Sequence, residues 1–270
     1  MKKIYILLLF VASIVSAQKK EFKYSLAGVK KVVLESGTKI VLTAGNTAEL
    51  VLTDNSKKHK EHENHRNHRN DEDYQKKKAD KRKGLTAVYP GGKDNTDGYG
   101  FSVSKEGNVL YITDLMSYYK RNGINLVLPK TMNISVNAGN LGSVSLEGFT
   151  GEVEVATNTG KIQMKNVTGP ITANTSVGKI DIDFDKVSQT SPITISSSVS
   201  EIDVSIPANT KADLELRTQG TVYTNFDFEA PKKKGLSNVS GNKSISSKLN
   251  NGGVKIYIKS SMGNIYLRKK

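Results

Sequence analysis

From Val144 onward, apolar and polar residues alternate in runs of about three to five, each run ended by Gly, Asn, Ser or Thr. Period two over so few residues predicts short, half-buried strands. The runs also recur. Thr150-Gly151-Glu152-Val153-Glu154-Val155 closes on Gly160-Lys161-Ile162-Gln163-Met164. Thr168-Gly169-Pro170-Ile171-Thr172-Ala173 closes on Gly178-Lys179-Ile180-Asp181-Ile182. Thr190-Ser191-Pro192-Ile193-Thr194-Ile195 closes on Ser200-Glu201-Ile202-Asp203-Val204. Gly142, Gly160 and Gly178 are spaced by 18 residues, whereas Ser200 follows Gly178 by 22. The third unit therefore carries four extra residues, which fit a loop around Asp185 to Gln189.

A second echo lies outside these units. Pro129 and Pro207 each end an alternating run, and each is followed by apolar residues five and seven places on (Ile134 and Val136, Ala212 and Leu214). Thirteen places on stands Gly142 or Gly220, and two further Val144 or Val222. A unit of 18–22 residues cannot bury a face alone, so the pattern predicts stacking of units. The expected fold is all-β, a parallel β-helix or β-solenoid with strands roughly 4.8 Å apart. Its inward columns would be Val144/Ile162/Ile180/Ile202, Leu146/Met164/Ile182/Val204, Val153/Ile171/Ile193 and Val155/Ala173/Ile195. Glycines would mark corners that need positive φ or close backbone approach. The alternative is a β-sandwich, which the scarcity of two-residue hairpin signals disfavours.

Three features resemble the head-GIN-type adhesin family of β-strand-repeat proteins, exported to Gram-negative envelopes and containing a domain of unknown function. They are the turn-Gly-x-Ile repeat at Gly160-Lys161-Ile162 and Gly178-Lys179-Ile180, the strand-Pro element at Leu128-Pro129-Lys130 and Ile206-Pro207-Ala208, and the terminal Gly263-Asn264-Ile265-Tyr266-Leu267. The resemblance covers about residues 28–52 and 101–267. It implies a parallel β-helix-like fold and an adhesin-like role, and it brings no catalytic residues.

The N-terminus reads as an export signal. Met1-Lys2-Lys3 is a basic start, Ile4 to Val15 is almost wholly apolar, and Val15-Ser16-Ala17 supplies small residues before polar Gln18. That layout predicts a signal peptide over 1–17 and a single mature domain over 18–270, in the periplasm, on the cell surface or secreted. No later apolar run is long enough to span a membrane. The chain has no cysteine, which excludes disulfides, Cys-ligated metals and thiol nucleophiles. Its four histidines lie within ten residues, which argues against a dispersed Ser-His-Asp triad.

The formal charge of +14 is concentrated in part between residues 56 and 84. Ser56 to Lys83 holds eleven Lys/Arg and six Asp/Glu, hence +5, with almost no apolar residues. Such a segment cannot bury enough surface to fold alone and is expected as a disordered insertion. It carries His59, His62, His65 and His68 at every third position, a candidate tract for Zn²⁺, Ni²⁺ or Cu²⁺. Lys76, Lys77, Lys78, Lys81, Arg82 and Lys83 form a candidate anion site. Acidic polysaccharide, lipid A phosphate or extracellular DNA would bind it in a salt-dependent way, and an exported protein does not meet cytosolic nucleic acid. An apparent strand, Leu85 to Val88, would close the insertion.

Candidate chemistry elsewhere is sparse. Lys179-Ile180-Asp181-Ile182-Asp183-Phe184-Asp185 places three carboxylates on one outward face, with Asp203 stacked beside Asp181 and Lys165 beside Asp183. Paired carboxylates suit Ca²⁺ or acid/base work on a polysaccharide, and Lys165–Asp183 alone would be a surface ion pair. The glycine-rich stretch Tyr89 to Gly100 lacks a following helix and a Lys-Ser/Thr ending, so it is not a phosphate loop. Tyr118-Tyr119-Lys120-Arg121 could stack on sugar rings or cover an edge. Three functions follow as expectations: a non-enzymatic adhesin-like module for envelope surfaces or anionic glycans, periplasmic metal binding through the His tract, and a polysaccharide-active enzyme using Asp181, Asp183 and Asp203.

Overall fold

The computed structural model describes residues 21–54, 85, 88–116, 123–227 and 243–270. The expected signal peptide, the His tract, the Lys/Arg cluster and Tyr118 to Arg121 lie outside the described residues. Alternation builds the strands directly: in Ile180-Asp181-Ile182-Asp183-Phe184 the apolar side chains are buried and the aspartates face out. The strands are β1 (Phe22–Ser25), β2 (Lys31–Glu35), β3 (Ile40–Gly45), β4 (Glu49–Asp54), β5 (Phe101–Glu106), β6 (Val109–Asp114) and β7 (Ile124–Pro129). There follow β8 (Asn133–Asn137), β9 (Val144–Glu147), β10 (Val153–Thr157), β11 (Ile162–Val167), β12 (Ile171–Thr175), β13 (Ile180–Phe184) and β14 (Ile193–Ser197). The last are β15 (Ile202–Ile206), β16 (Ala212–Thr218), β17 (Val222–Thr224), β18 (Lys243–Leu249), β19 (Val254–Ser260) and β20 (Ile265–Lys269). Among the described residues none is helical, and none forms a helix long and apolar enough to cross a membrane.

The strands form two mixed sheets of ten, ordered β1-β4-β7-β3-β9-β11-β13-β15-β20-β17 and β18-β16-β19-β14-β12-β10-β8-β2-β6-β5. The chain alternates between them from β7 to β17, so each unit contributes one strand to each sheet. Neighbouring units pair in parallel in the register the repeat predicts: Ile162 lies between Val144 and Ile180, Ile180 beside Ile202, and Ala173 between Val155 and Ile195. The inward residues form one hydrophobic cluster running through both sheets.

Two units are out of chain order. β2–β3 pairs in parallel with β6–β7 on one side and β8–β9 on the other. β19–β20 sits likewise between β14–β15 and β16–β17. The chain therefore steps over an inserted unit twice, from β7 to β8 and from β15 to β16. Pro129 ends β7 and Pro207 follows β15, which is the physical content of the echo in the sequence. Three of the four sheet ends carry antiparallel strands instead: β4 and β1, β5, and β18, whereas β17 closes the first sheet in parallel.

The corner glycines serve close approach, since Gly142, Gly160 and Gly178 do not have positive φ. A Cβ on Gly160 would lie 1.8 Å from the Gly142 carbonyl oxygen, and one on Gly178 1.7 Å from that of Gly160. A buried hydroxyl accompanies most corners; at Gly142 the Ala138 backbone carbonyl takes its place. Thr157 Oγ1 donates to the Gly142 carbonyl at 2.8 Å and accepts from Gly160 N–H. Ser260 repeats the arrangement with the Ser200 carbonyl and Gly263 N–H, and Thr218 with the Gly263 carbonyl and Gly220 N–H. Buried backbone groups at the turns are thus paired from one unit to the next.

Two local features depart from simple alternation. Asn166, at φ 52°, marks a bulge that shifts the register between Met164 and Val167. Val167 then pairs with Phe184, so that Lys165 and Asn166 together stand opposite Asp183, while Lys165 aligns with Glu147 on the other neighbouring strand. Leu85 and Val88 lie outside any strand and are 74% and 87% exposed, so the run is not a core strand at either end.

One ion pair ties the inserted N-terminal unit to the body across β8. Lys31 Nζ lies 3.0 Å from Glu154 Oε2, and this hydrogen bond, against the opposing effect of burial, holds the Glu154 carboxyl below its ordinary range. A depressed carboxyl contributes stability that is present above its unfolded pKa and is lost as pH falls through the folded pKa. Lys31→Met should therefore lower stability by less than about 1 kcal/mol at neutral pH. The difference should disappear in acid, as melts across the carboxylate range would show.

Candidate functional site

The outer face of the first sheet carries the densest polar side chains around β13, β15 and β20. Register places Gln163, Asp181, Asp203, Tyr266 and Tyr223 in one row across five strands. Asp181 and Asp203 are adjacent as the repeat predicts, but each is neutralised. Lys161 and Lys179 reach Asp181 at 2.7 and 3.2 Å. Arg268 grips Asp203 with two hydrogen bonds, Nε to Oδ1 at 2.7 Å and Nη2 to Oδ2 at 2.8 Å. Asp183 contacts Lys270. Lys179 also reaches Glu201 at 2.9 Å, and this bond, with that to Asp181, raises its amine above the ordinary lysine range. The Asp203 hydrogen bond raises the Arg268 guanidinium likewise.

Beside these ion pairs stands an aromatic pair. Tyr223 and Tyr266 stack with centroids 5.2 Å apart and planes 10° from parallel. Arg268 lies over the Tyr266 ring at 5.6 Å, and Asn264 Nδ2 donates to its hydroxyl at 3.4 Å. Tyr223 is 51% exposed on β17, the edge strand. The adjoining depression, about 450 Å³, is lined by Gln163, Lys165, Asp181, Asp183, Asp203, Ser205 and Arg268. It is shallow and open, with no wall to exclude water from a reacting bond.

The second sheet repeats this chemistry where β16 pairs with β19 of the inserted unit. Glu215 pairs with Arg217 at 2.5 Å and Lys255 at 3.0 Å. The Lys255 hydrogen bond leads in holding its carboxyl below the usual range. Arg217 lies over Tyr257 at 5.6 Å, and Thr194 and Pro192 complete a hollow of about 380 Å³.

Among the described residues no group of three or more His, Cys, Asp or Glu side chains is placed to hold a metal ion. His59, His62, His65 and His68, and Lys76, Lys77, Lys78, Lys81, Arg82 and Lys83, lie outside the described residues. The loop at Tyr89 to Gly100 is organised by its own side chains: Asp94 accepts from Thr96 N–H and Gly100 N–H at 2.9 Å each. Tyr223, Tyr257 and Tyr266 were not singled out by the sequence. The usable signal was alternation, since Lys255-Ile256-Tyr257-Ile258-Lys259 must turn its tyrosine outward.

No family model and no curated protein matches the chain. Among solved structures it is similar to a "putative cell adhesion protein" from Clostridium sporogenes ATCC 15579. The identity is 14%, over 93% of this chain and 99% of that one, with a TM-score of 0.44. A likeness of that degree carries no functional argument.

Proposed function

We propose that the chain is an exported, non-enzymatic, adhesin-like β-solenoid of the cell envelope, and that it binds glycan chains across the outer face of its first sheet. The observation that carries this reading is the state of the aspartates. Asp181, Asp183 and Asp203 are each held by a lysine or arginine, whereas a glycosidase needs one carboxyl to give a proton and another to attack or activate water. The same face ends in the exposed Tyr223 ring, stacked on Tyr266 at the sheet edge, and an exposed ring face suits the apolar face of a sugar. The parallel stacking of 18-residue units supports the solenoid reading, and the head-GIN-type resemblance accords with a place in the envelope.

The test is saturable binding of residues 18–270 to whole envelopes and purified acidic glycans, at low and high salt. Tyr223→Ala with Tyr266→Ala should weaken binding by about tenfold, the effect of one or two lost stacking contacts, while the protein still melts cooperatively at a slightly lower temperature. Unchanged affinity would refute the site. Turnover of a glycan that stops on Asp181→Asn would refute the non-enzymatic reading.

A further inference from the structure

Eight large hydrophobic side chains are exposed among the described residues, and four of them occupy a single turn position. Leu141, Val177, Val199 and Met262 each stand immediately before the corner residue of their unit, namely Gly142, Gly178, Ser200 and Gly263. They are 79%, 47%, 45% and 66% exposed. Backbone hydrogen bonds hold these tips in line: Val177 N–H donates to the Asn158 carbonyl, Val199 N–H to that of Ser176, and Met262 N–H to that of Ser198. With Thr159 in the unit between Leu141 and Val177, the row spans five units, about 19 Å at the usual strand spacing. No core residue requires it. The opposite turns bury their apolar residues, as Phe149 shows.

We propose that this ridge docks the protein on a lipid bilayer with anionic headgroups. Three features favour that occupant. The ridge is one side chain wide, far short of the roughly 800 Å² per partner of a stable protein interface, which disfavours a second copy. It is formed by turn tips and is therefore convex. A fluid headgroup layer admits a convex apolar edge that a folded partner could take only in a matching groove.

The third feature is charge. Within the five ridge units the outward residue on the first-sheet side is Lys161, Lys179 or Glu201 in three and Ser143 or Asn264 in two. The aligned residues on the second-sheet side are Asn137, Ala156, Asn174, Ser196 and Lys259. Three cations thus flank the ridge against Glu201 and Asp181, the latter shared by Lys161 and Lys179, and the flank stays net positive. Apolar insertion with cationic flanks gives two additive terms for an anionic surface. The site is separate from the tyrosine face and stands or falls without it.

The chain contains no tryptophan, so Met262→Trp supplies a single reporter at the ridge. Mixed with vesicles of phosphatidylethanolamine and phosphatidylglycerol, this variant of residues 18–270 should show a blue-shifted emission. Phosphatidylcholine vesicles should leave it unshifted. In co-sedimentation with the same anionic vesicles, Val177→Ser, Val199→Ser and Met262→Ser together should weaken binding by about tenfold or more. The effect should persist when residues 56–83 are deleted. An unshifted indole emission on the anionic vesicles would overturn the proposal. So would equal sedimentation of wild type and triple variant, which would assign vesicle binding to basic segments alone. A shift produced by a soluble envelope extract and not by vesicles would overturn it in favour of a protein partner.

Discussion

Removing residues 254–270 should abolish cooperative folding of the C-terminal third, although a simple stack would lose only its last layer. The deleted unit, β19–β20, is an internal layer held on both sides. It contributes Val254, Ile256, Ile258, Ile265 and Leu267 to the core. At about 1.5–3 kcal/mol for each buried side chain these five represent roughly 7–15 kcal/mol, an upper estimate because an unfolded chain already buries some surface. That equals the whole stability of an ordinary domain, about 5–15 kcal/mol. The deletion also leaves β14, β15 and β16 without a neighbour on one edge and β17 without its β20 partner, and strands with free edges pair with other chains. The expected result is aggregation on expression, or a soluble product in which residues 208–250 are cut rapidly by protease. Deleting β18 instead removes an end strand with Leu249 as its one buried side chain among those described, and should lower the melting temperature by several degrees only. Equal melting temperatures for the two truncations would refute the insertion of β19–β20.

The contrast between unit and order explains what was legible in the sequence. Ile162, Ile180 and Ile202 recur at fixed offsets because each inward column needs an apolar residue at the same depth, and periodicity reports depth directly. It does not report which unit lies next to which. Ile265 meets the requirements of its column equally well wherever its unit is inserted. The repeated Pro129 and Pro207 elements did carry the missing information, since both stand where the chain leaves its neighbour. Their meaning became visible only with the pairing of β20 on β15. The bulge at Asn166 and the ion pairs of Asp183 and Asp203 were hidden for another reason. They depend on side chains from units distant in the chain, as with Asp203 and Arg268, and on a single local φ angle.

Gly160→Ala should be, with Gly178→Ala, among the most damaging single methyls in the described residues, though nothing in its backbone conformation forbids alanine. The added Cβ would sit 1.8 Å from the Gly142 carbonyl oxygen, within a parallel stack that fixes both backbones. Relief requires the turn to move, and movement breaks the bonds that Thr157 makes to the Gly142 carbonyl and Gly160 N–H. Overpacking together with a lost buried hydrogen bond should cost about 3 kcal/mol. Ser200 is the internal control. It occupies the same position in the 22-residue unit and directs its hydroxyl to the Val177 carbonyl, so that corner already accommodates a Cβ. Ser200→Ala should therefore cost about 1 kcal/mol, the value of the hydrogen bond, as read from urea melts. If Gly160→Ala were as mild as Ser200→Ala, close approach would not be why glycine recurs every 18 residues, and the stack would have to be looser at this corner than the register implies.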